Sequence, residues 1–243
     1  MKATYVGLII SYKKGVQNIK TIAIIGAGPG LGLSLAKKFG TNGFNVAVIS
    51  RNPEKLSTMV DELTKLNIEA KSYIADVTNL DALKEALQNA KKDFGSIDVL
   101  EFSPYGGWQQ FTHVLSTTPE NVLEQINSYL LPAILSVNEV LPAMQEKGEG
   151  AILFTTGISA MFPLPTVGNA GIVMSGIRNY ATNLYNELKD KGVYIGHLSI
   201  GTMIAPGTEG DPDIIAEEWY NLFEQKGHFE ETFPKGFDLT KMY

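Results

Sequence analysis

An apolar run that ends in a cluster of glycines and continues directly as a helix-like stretch constrains this chain most. Residues 22–36 read IAIIGAGPGLGLSLA. The first four residues suit a strand that is buried on both faces, as the strands of parallel sheets are. The glycines let backbone come close to a phosphate group at the start of the following helix. The segment therefore predicts a dinucleotide site, with contacts at Gly26, Gly28, Gly30, Leu31 and Gly32.

The spacing of these glycines is informative. The general pattern G-x-G-x-x-G fails in both registers, because Leu31 and Leu33 stand at the third glycine position. The pattern G-x-x-x-G-x-G fits Gly26, Gly30 and Gly32, and this spacing resembles the short-chain dehydrogenase/reductase family. Later motifs follow in the family's order over nearly the whole chain. The resemblance implies binding of a nicotinamide dinucleotide and transfer of a hydride to or from a small molecule.

Strand-like and helix-like segments alternate along the chain. This alternation predicts an α/β fold, a doubly wound, Rossmann-type parallel sheet in three α/β/α layers. We expect one domain over residues 21–243, with long helices at 119–145 and 167–190. The predicted strands are residues 21–25, 45–50, 69–74, 99–102, 151–155 and 194–200.

Residues 1–20 precede the predicted domain. The apolar stretch 3–12 is too short to span a bilayer, and no small-residue cleavage site follows it. Three interpretations stay open: an extra edge strand, a disordered tail, or translation assigned from a start upstream of the true one.

The turn after the second strand predicts the choice of cofactor, because this turn faces the adenosine ribose in folds of this type. The chain has Ser50 and Arg51 there, and no acidic residue. An arginine can pair with a 2′-phosphate, so NADP(H) is favoured over NAD(H). The resemblance places Asp76 and Val77 beside the adenine, although Asp76 could instead start the next helix. It also places Ser103 beside the cofactor.

The predicted chemistry departs from the family pattern. Family members use a serine, a tyrosine and a lysine, and these positions align with Gly157, Ala170 and Met174. Asn127 matches the family asparagine that supports the lysine. All three catalytic side chains are therefore expected to be missing.

A literal Y-x-x-x-K exists at Tyr185 and Lys189. It lies fifteen positions beyond Ala170, or roughly 22 Å along one helix at about 1.5 Å per residue. It is better interpreted as a surface pair one turn apart.

Two functions of different classes follow. The first is a divergent oxidoreductase with a substitute acid, for which Ser159 and Tyr105 are the main candidates, with Thr156 and His113 as further polar groups. The second is a sensor or regulatory protein that binds the dinucleotide without hydride transfer. A third, an assembly role without cofactor, conflicts with the well-formed glycine cluster.

The composition limits the kinds of partner that we expect this chain to bind. The chain has 243 residues, a net charge of -6 and no basic run longer than a pair, so we expect no nucleic acid partner. It has no cysteine, which excludes disulfides and is compatible with the cytoplasm. Its three histidines lack metal-site spacing, so no metal is expected, and no membrane segment is apparent. The resemblance implies a homodimer or homotetramer.

Overall fold

The computed structural model describes residues 19–237. Most of the segment 1–20, with its three interpretations, and residues 238–243 lie outside this range. The described residues form a seven-stranded sheet in which all neighbours are parallel, in the order β3-β2-β1-β4-β5-β6-β7. The predicted doubly wound parallel sheet is therefore confirmed. The strands are β1 Thr21–Ile25, β2 Asn45–Ser50, β3 Ala70–Ile74, β4 Val99–Phe102, β5 Gly150–Gly157, β6 Val193–Ile200 and β7 Glu230–Phe233.

Helices cover both faces of the sheet, because each carries one apolar stripe that needs burial. Leu83, Val137 and Ile177 represent one core, under α3, α5 and α6. Leu35 and Trp219 represent the opposite core, under α1, α2 and α7. The helices are α1 Leu31–Thr41, α2 Pro53–Lys65, α3 Leu80–Phe94, α4 Pro119–Gln125, α5 Leu131–Lys147, α6 Gly168–Leu188 and α7 Pro212–Gln225.

The strand β7 is absent from the sequence-based prediction. It reads EETF, begins with two acidic residues and is only four residues long. Such a strand has neither a long apolar run nor clear alternation. It pairs with β6 and extends the sheet by one strand beyond the six expected.

The long helix expected at 119–145 is interrupted. A wider π-helical turn, Ile126–Leu130, separates α4 from α5. Pro132 lies at the start of α5 and has no N–H, so the bond that a regular helix would make from residue 132 to the carbonyl of Ser128 is missing. The interruption sets the direction of Asn127, Ser128 and Tyr129.

The helix α7 begins as expected, with Asp211 as its N-cap and Pro212 in its first turn. Ile215, Trp219, Leu222 and Phe223 form its buried face, but Ile214, expected there too, is exposed. Ile214 and Ile215 are adjacent, and neighbours on a helix point about 100° apart. None of the helices within residues 19–237 combines the length and apolar character needed to cross a bilayer.

Candidate functional site

The glycine-rich turn between β1 and α1 has glycines of two kinds. A Cβ at Gly26 would lie 2.3 Å from the Cα of Pro104, and one at Gly32 would lie 2.8 Å from the Cα of Ala27. These two glycines therefore allow internal packing. A Cβ at Gly28 or Gly30 would meet no atom of residues 19–237 within 4 Å. The backbone at Gly28 and Gly30 consequently faces open space.

The start of α1 is suited to an anion. Gly30 is the N-cap, so no side chain caps the helix, and the first turn has no acidic residue. The N–H groups of Leu31 and Gly32 have no acceptor within residues 19–237. Free N–H groups and the positive end of the helix dipole attract phosphate oxygens.

A first cavity, of about 100 Å³, lies beside this turn at the carboxyl ends of the strands. It brings together residues that the sequence places far apart. Predicted cofactor residues in its wall are Gly26, Ser50, Arg51, Asp76 and Val77. The segment after β4 and the π-helical turn complete the wall with Pro104, Tyr105, Gly106, Ser128 and Tyr129.

Arg51 and Asp76 face each other across this cavity, with 3.8 Å between Nη1 and Oδ2, and both side chains are exposed. Asp76 Oδ1 accepts hydrogen bonds from the N–H and hydroxyl of Thr78, at 2.9 and 2.8 Å. These bonds, the backbone bond first, and the nearby Arg51 keep the pKa of Asp76 below its ordinary value. Asn79, and not Asp76, caps α3. The alternative that Asp76 starts this helix is therefore wrong.

Ser103 does not direct its hydroxyl at the cavity. Its Oγ donates to Glu101 Oε2 at 2.8 Å, and Thr155 Oγ1 donates to Glu101 Oε1 at 2.7 Å. Glu101 is fully buried in the central strand β4. Burial raises the pKa of Glu101 to about 7, although both hydroxyl bonds oppose this shift.

Tyr129 is a site residue that sequence reasoning missed. It is buried, and its hydroxyl oxygen accepts a hydrogen bond from the N–H of Gly106 at 3.0 Å. This bond holds the loop after β4 against the π-helical turn. No sequence motif signals the contact, because it depends on the π-helical turn, which has no periodic pattern of its own.

A second cavity, of about 260 Å³, lies further along the same edge of the sheet. Gly157, Ala170 and Met174 all line it, although they come from β5 and α6. Among residues 19–237, the wall carries no charged side chain and is mostly apolar. The remaining lining residues are Trp108, Phe111, Ile158, Ser159, Leu164, Thr166, Val167, Ile200, Gly201, Thr202 and Met203.

Ser159 is placed to compensate for the missing side chain at position 157. Its Oγ lies 3.8 Å from where a Cβ of residue 157 would be. Ser159 is buried in the cavity wall, and its hydroxyl has no hydrogen-bond partner within the described part of the chain. The structure therefore directs a hydroxyl group into the second cavity.

The other candidate substitutes lie elsewhere. Tyr105 lines the first cavity, and burial raises the pKa of its hydroxyl. His113 is exposed, and its Nδ1 accepts from the N–H of Leu115. Asn127 is exposed and lines neither cavity, because the π-helical turn directs Ser128 and Tyr129 to the first cavity instead.

Thr156 belongs to a buried polar network under α6. Its Oγ1 lies 2.9 Å from His197 Nε2, and His197 Nδ1 lies 3.2 Å from Glu230 Oε2. Burial lowers the pKa of His197, so its ring is neutral at pH 7. Since the Glu230 carboxylate can only accept, Nδ1 carries the ring proton and Nε2 accepts from the hydroxyl of Thr156. Arg178 donates two bonds to Glu230, at 2.7 and 2.6 Å.

Tyr185, of the literal Y-x-x-x-K, packs on Phe229 at a ring-centroid distance of 5.2 Å. Phe229 directly precedes β7, so Tyr185 lies at the amino end of the strands, away from both cavities. Lys189 is exposed. Within residues 19–237, no three His, Cys, Asp or Glu side chains converge as a metal site requires.

Comparison with known proteins identifies the family. The family model described as short chain dehydrogenase matches residues 20–211. The chain belongs to this family. Among short-chain dehydrogenases, it is similar to an oxidoreductase named asL5 from Sarocladium schorii, with 27% identity over 85% of this chain and 80% of the relative.

Two further proteins are informative. An inactive hydroxysteroid dehydrogenase-like protein 1 from Homo sapiens is 28% identical over 72% of this chain and 53% of that protein. A metagenomic short-chain oxidoreductase, solved in complex with NADP, matches with a TM-score of 0.77 and 24% identity over 88% of this chain and 95% of that chain. The structural match supports the fold of the short-chain dehydrogenases.

Proposed function

We propose that this chain is an NADP(H)-binding oxidoreductase of the short-chain dehydrogenase family that lacks the usual serine, tyrosine and lysine. The main support is the geometry at the start of α1. The described residues leave open space beside Gly28 and Gly30, and two backbone N–H groups there have no acceptor among these residues. A pyrophosphate fits these features, because it supplies the negative oxygens that free N–H groups bind. The NADP complex of the metagenomic relative supports the same cofactor class.

Arg51 supports a preference for NADP(H). Arg51 lines the first cavity at the end of β2. Its Nη1 lies 3.8 Å from Asp76 Oδ2. Because Arg51 is mostly exposed, a 2′-phosphate can reach it. A guanidinium binds such a phosphate through two parallel hydrogen bonds.

The second cavity is the proposed site of the acceptor. A bound reduced dinucleotide would supply the hydride. Gly157, Ala170 and Met174 offer neither an acidic hydroxyl nor a cation, and Ser159 offers a hydrogen bond to an acceptor oxygen. Loss of a general acid costs about 10²–10⁴ in rate, so slow turnover is expected. Of the two main substitutes, the geometry favours Ser159 over Tyr105.

A second candidate function is a dinucleotide-binding sensor without hydride transfer. The wall of the second cavity supports it, since none of the lining side chains within residues 19–237 is an acid or base that titrates near neutral pH. The relative from Homo sapiens that is named inactive supports it as well. In both candidate functions the dinucleotide binds at the first cavity, and only the oxidoreductase transfers a hydride.

Gly30→Asp tests cofactor binding. A Cβ at position 30 meets no atom of residues 19–237 within 4 Å, but the backbone there has ψ -117°, outside the extended region that N-cap side chains prefer. The melting temperature of the variant is therefore measured beside its affinity. Its carboxylate would lie where the phosphates are proposed to bind. We expect NADPH affinity, measured by fluorescence titration, to fall at least tenfold.

Gly30→Asn is the matched control, because it has the same size and caps a helix equally well but carries no charge. It should retain much more NADPH affinity than Gly30→Asp. Equal NADPH affinity of the wild type and Gly30→Asp would contradict the proposal. NADPH binding without turnover over a panel of carbonyl compounds would favour the sensor.

A further inference from the structure

The lining residues and the volume of the second cavity indicate which kind of ligand it can bind. The described residues that line it are apolar or neutral, and none of these carries a charge. The volume of about 260 Å³ equals that of roughly nine water molecules at ~30 Å³ each. A neutral ligand with about two fused rings fits this description.

Aromatic residues lie on one side of the cavity. Trp108 and Phe111 both line it and pack edge to face, with 5.4 Å between ring centroids. Trp108 is 56% exposed although it is a large aromatic residue. Met174 and Met203 also line the cavity, and thioethers contact aromatic rings favourably. A flat aromatic ligand would therefore find ring and sulfur contacts together.

Polar side-chain groups of the wall are the indole N–H of Trp108 and the hydroxyls of Ser159, Thr166 and Thr202. Ser159 is buried, and its hydroxyl has no partner within residues 19–237. A serine hydroxyl can donate a hydrogen bond to a carbonyl oxygen, but it is too weak an acid to give up its proton near pH 7. Reduction of an isolated ketone produces an alkoxide that needs a proton at once. Reduction of a quinone produces a hydroquinone anion whose charge is spread over the ring.

From these observations, and on the basis of the proposed function, we propose that the second cavity binds a quinone, a flat ring compound with two conjugated carbonyl groups. One carbonyl oxygen accepts from Ser159, and the rings contact Trp108 and Phe111. The quinone accepts one hydride with its electron pair from the reduced dinucleotide, which becomes oxidised. The resulting hydroquinone anion takes one proton from water, so no acidic side chain is needed.

Binding is tested first without any dinucleotide, using 2-methyl-1,4-naphthoquinone as the probe. Quinones quench tryptophan fluorescence, and the chain has two tryptophans, Trp108 in the cavity and the fully buried Trp219. The chain has no cysteine, so the probe cannot form a thioether with it. We expect saturable quenching that is largely lost in Trp108→Phe.

Two variants test the location. Gly157→Val should weaken probe binding at least tenfold, because its side chain would project into the cavity from a position where a Cβ has room. Ser159→Ala should weaken probe binding roughly two- to tenfold, the effect of one neutral hydrogen bond. Leu115→Ala is the control, since Leu115 is exposed and does not line the cavity. Unchanged quenching in Gly157→Val would overturn the proposal.

Substrate choice is tested next, by comparing the naphthoquinone with 1-tetralone, a ketone with a similar bicyclic skeleton. NADPH oxidation should be at least a hundredfold faster with the quinone. Comparable rates with both compounds would overturn the proposal. NADPH binding is measured separately, so a protein that binds NADPH but not the quinone refutes this inference alone, whereas one that binds no NADPH refutes the proposed function.

Discussion

At the scale of single residues, Arg51 gives the sharpest test of cofactor preference. Arg51→Ala should weaken NADPH binding by about ten- to a hundredfold, because a charge-assisted hydrogen bond contributes about 1.5–3 kcal/mol. NADH lacks the 2′-phosphate, so its affinity should change little. The measurement is a fluorescence titration with each dinucleotide. Lys55→Ala removes an exposed cation from the same helix region and serves as control.

Glu101 contributes to the pH dependence of stability above pH 4.5. Burial raises its pKa from 4.5 to about 7, so the folded protein binds this proton more tightly than the unfolded chain. The stabilisation that protonated Glu101 gives the folded state is therefore fully present below pH 4.5 and is lost as the pH rises through 7. The loss amounts to roughly 3 kcal/mol, since a pKa difference of one is worth about 1.4 kcal/mol.

Glu101→Gln keeps the shape of the protonated side chain, and an amide can still bond to Ser103 and Thr155. We expect this variant to be more stable than the wild type at pH 8 and to lose the pH dependence between 5 and 8. Urea unfolding at several pH values measures both effects. An unchanged pH profile would contradict the assigned role of Glu101.

Residues differ in how far the sequence predicts their role. Arg51 was predicted at the cofactor because it directly follows a strand, and Asp76 because of the family resemblance. The structure places both in the wall of one cavity. Glu101 was not predicted, because a single acidic residue in an apolar strand carries no motif. Its hydroxyl partners Ser103 and Thr155 come together only when β4 and β5 pair.

At the scale of elements, the ion pair of Arg178 and Glu230 connects α6 with β7. Hydrogen bonds from Arg178, and then from His197, lower the pKa of Glu230 to about 2. The stabilisation that ionised Glu230 gives the folded state is present above pH 4.5 and is lost as the pH falls through 2. Arg178→Gln should cost about 1–3 kcal/mol at pH 7, because it leaves a half-buried carboxylate without its cation.

Urea unfolding at pH 7, 5 and 3.5 measures this effect. The difference between the wild type and Arg178→Gln should narrow as the pH falls below 4.5. Lys191→Gln is the control, because the Lys191–Glu187 pair is exposed and should change the free energy of unfolding by less than about 1 kcal/mol. Equal stability of Arg178→Gln and the wild type would contradict a stabilising role of the pair.

Elements with strong patterns were predicted well. The strands β1, β2 and β4 have the predicted bounds, because each consists mainly of buried apolar residues and is followed by a turn. The π-helical turn and β7 were missed for different reasons. A π-helical turn has no periodic signal of its own, and β7 forms on the edge strand β6 through partners such as Arg178 that are distant in sequence.

At the scale of the whole molecule, cofactor binding should raise thermal stability. A ligand at a hundred times its dissociation constant stabilises the folded state by about 2.7 kcal/mol. For a chain of this size, we expect the melting temperature to rise by roughly 5–11 °C with NADPH. Differential scanning calorimetry measures the shift, and Gly30→Asp should reduce it to about half or less at the same NADPH concentration. A shift of equal size in both proteins would place the ligand elsewhere.

The contact between Gly26 and Pro104 joins the turns that follow two neighbouring strands, β1 and β4. Since even a methyl group at position 26 would overlap the proline backbone, neither turn has room to change independently of the other. A chimera that receives residues 102–106 from another family member therefore also alters the packing of the glycine-rich turn. Transplanting both turns together, as one exchangeable unit, is the way to preserve their fit.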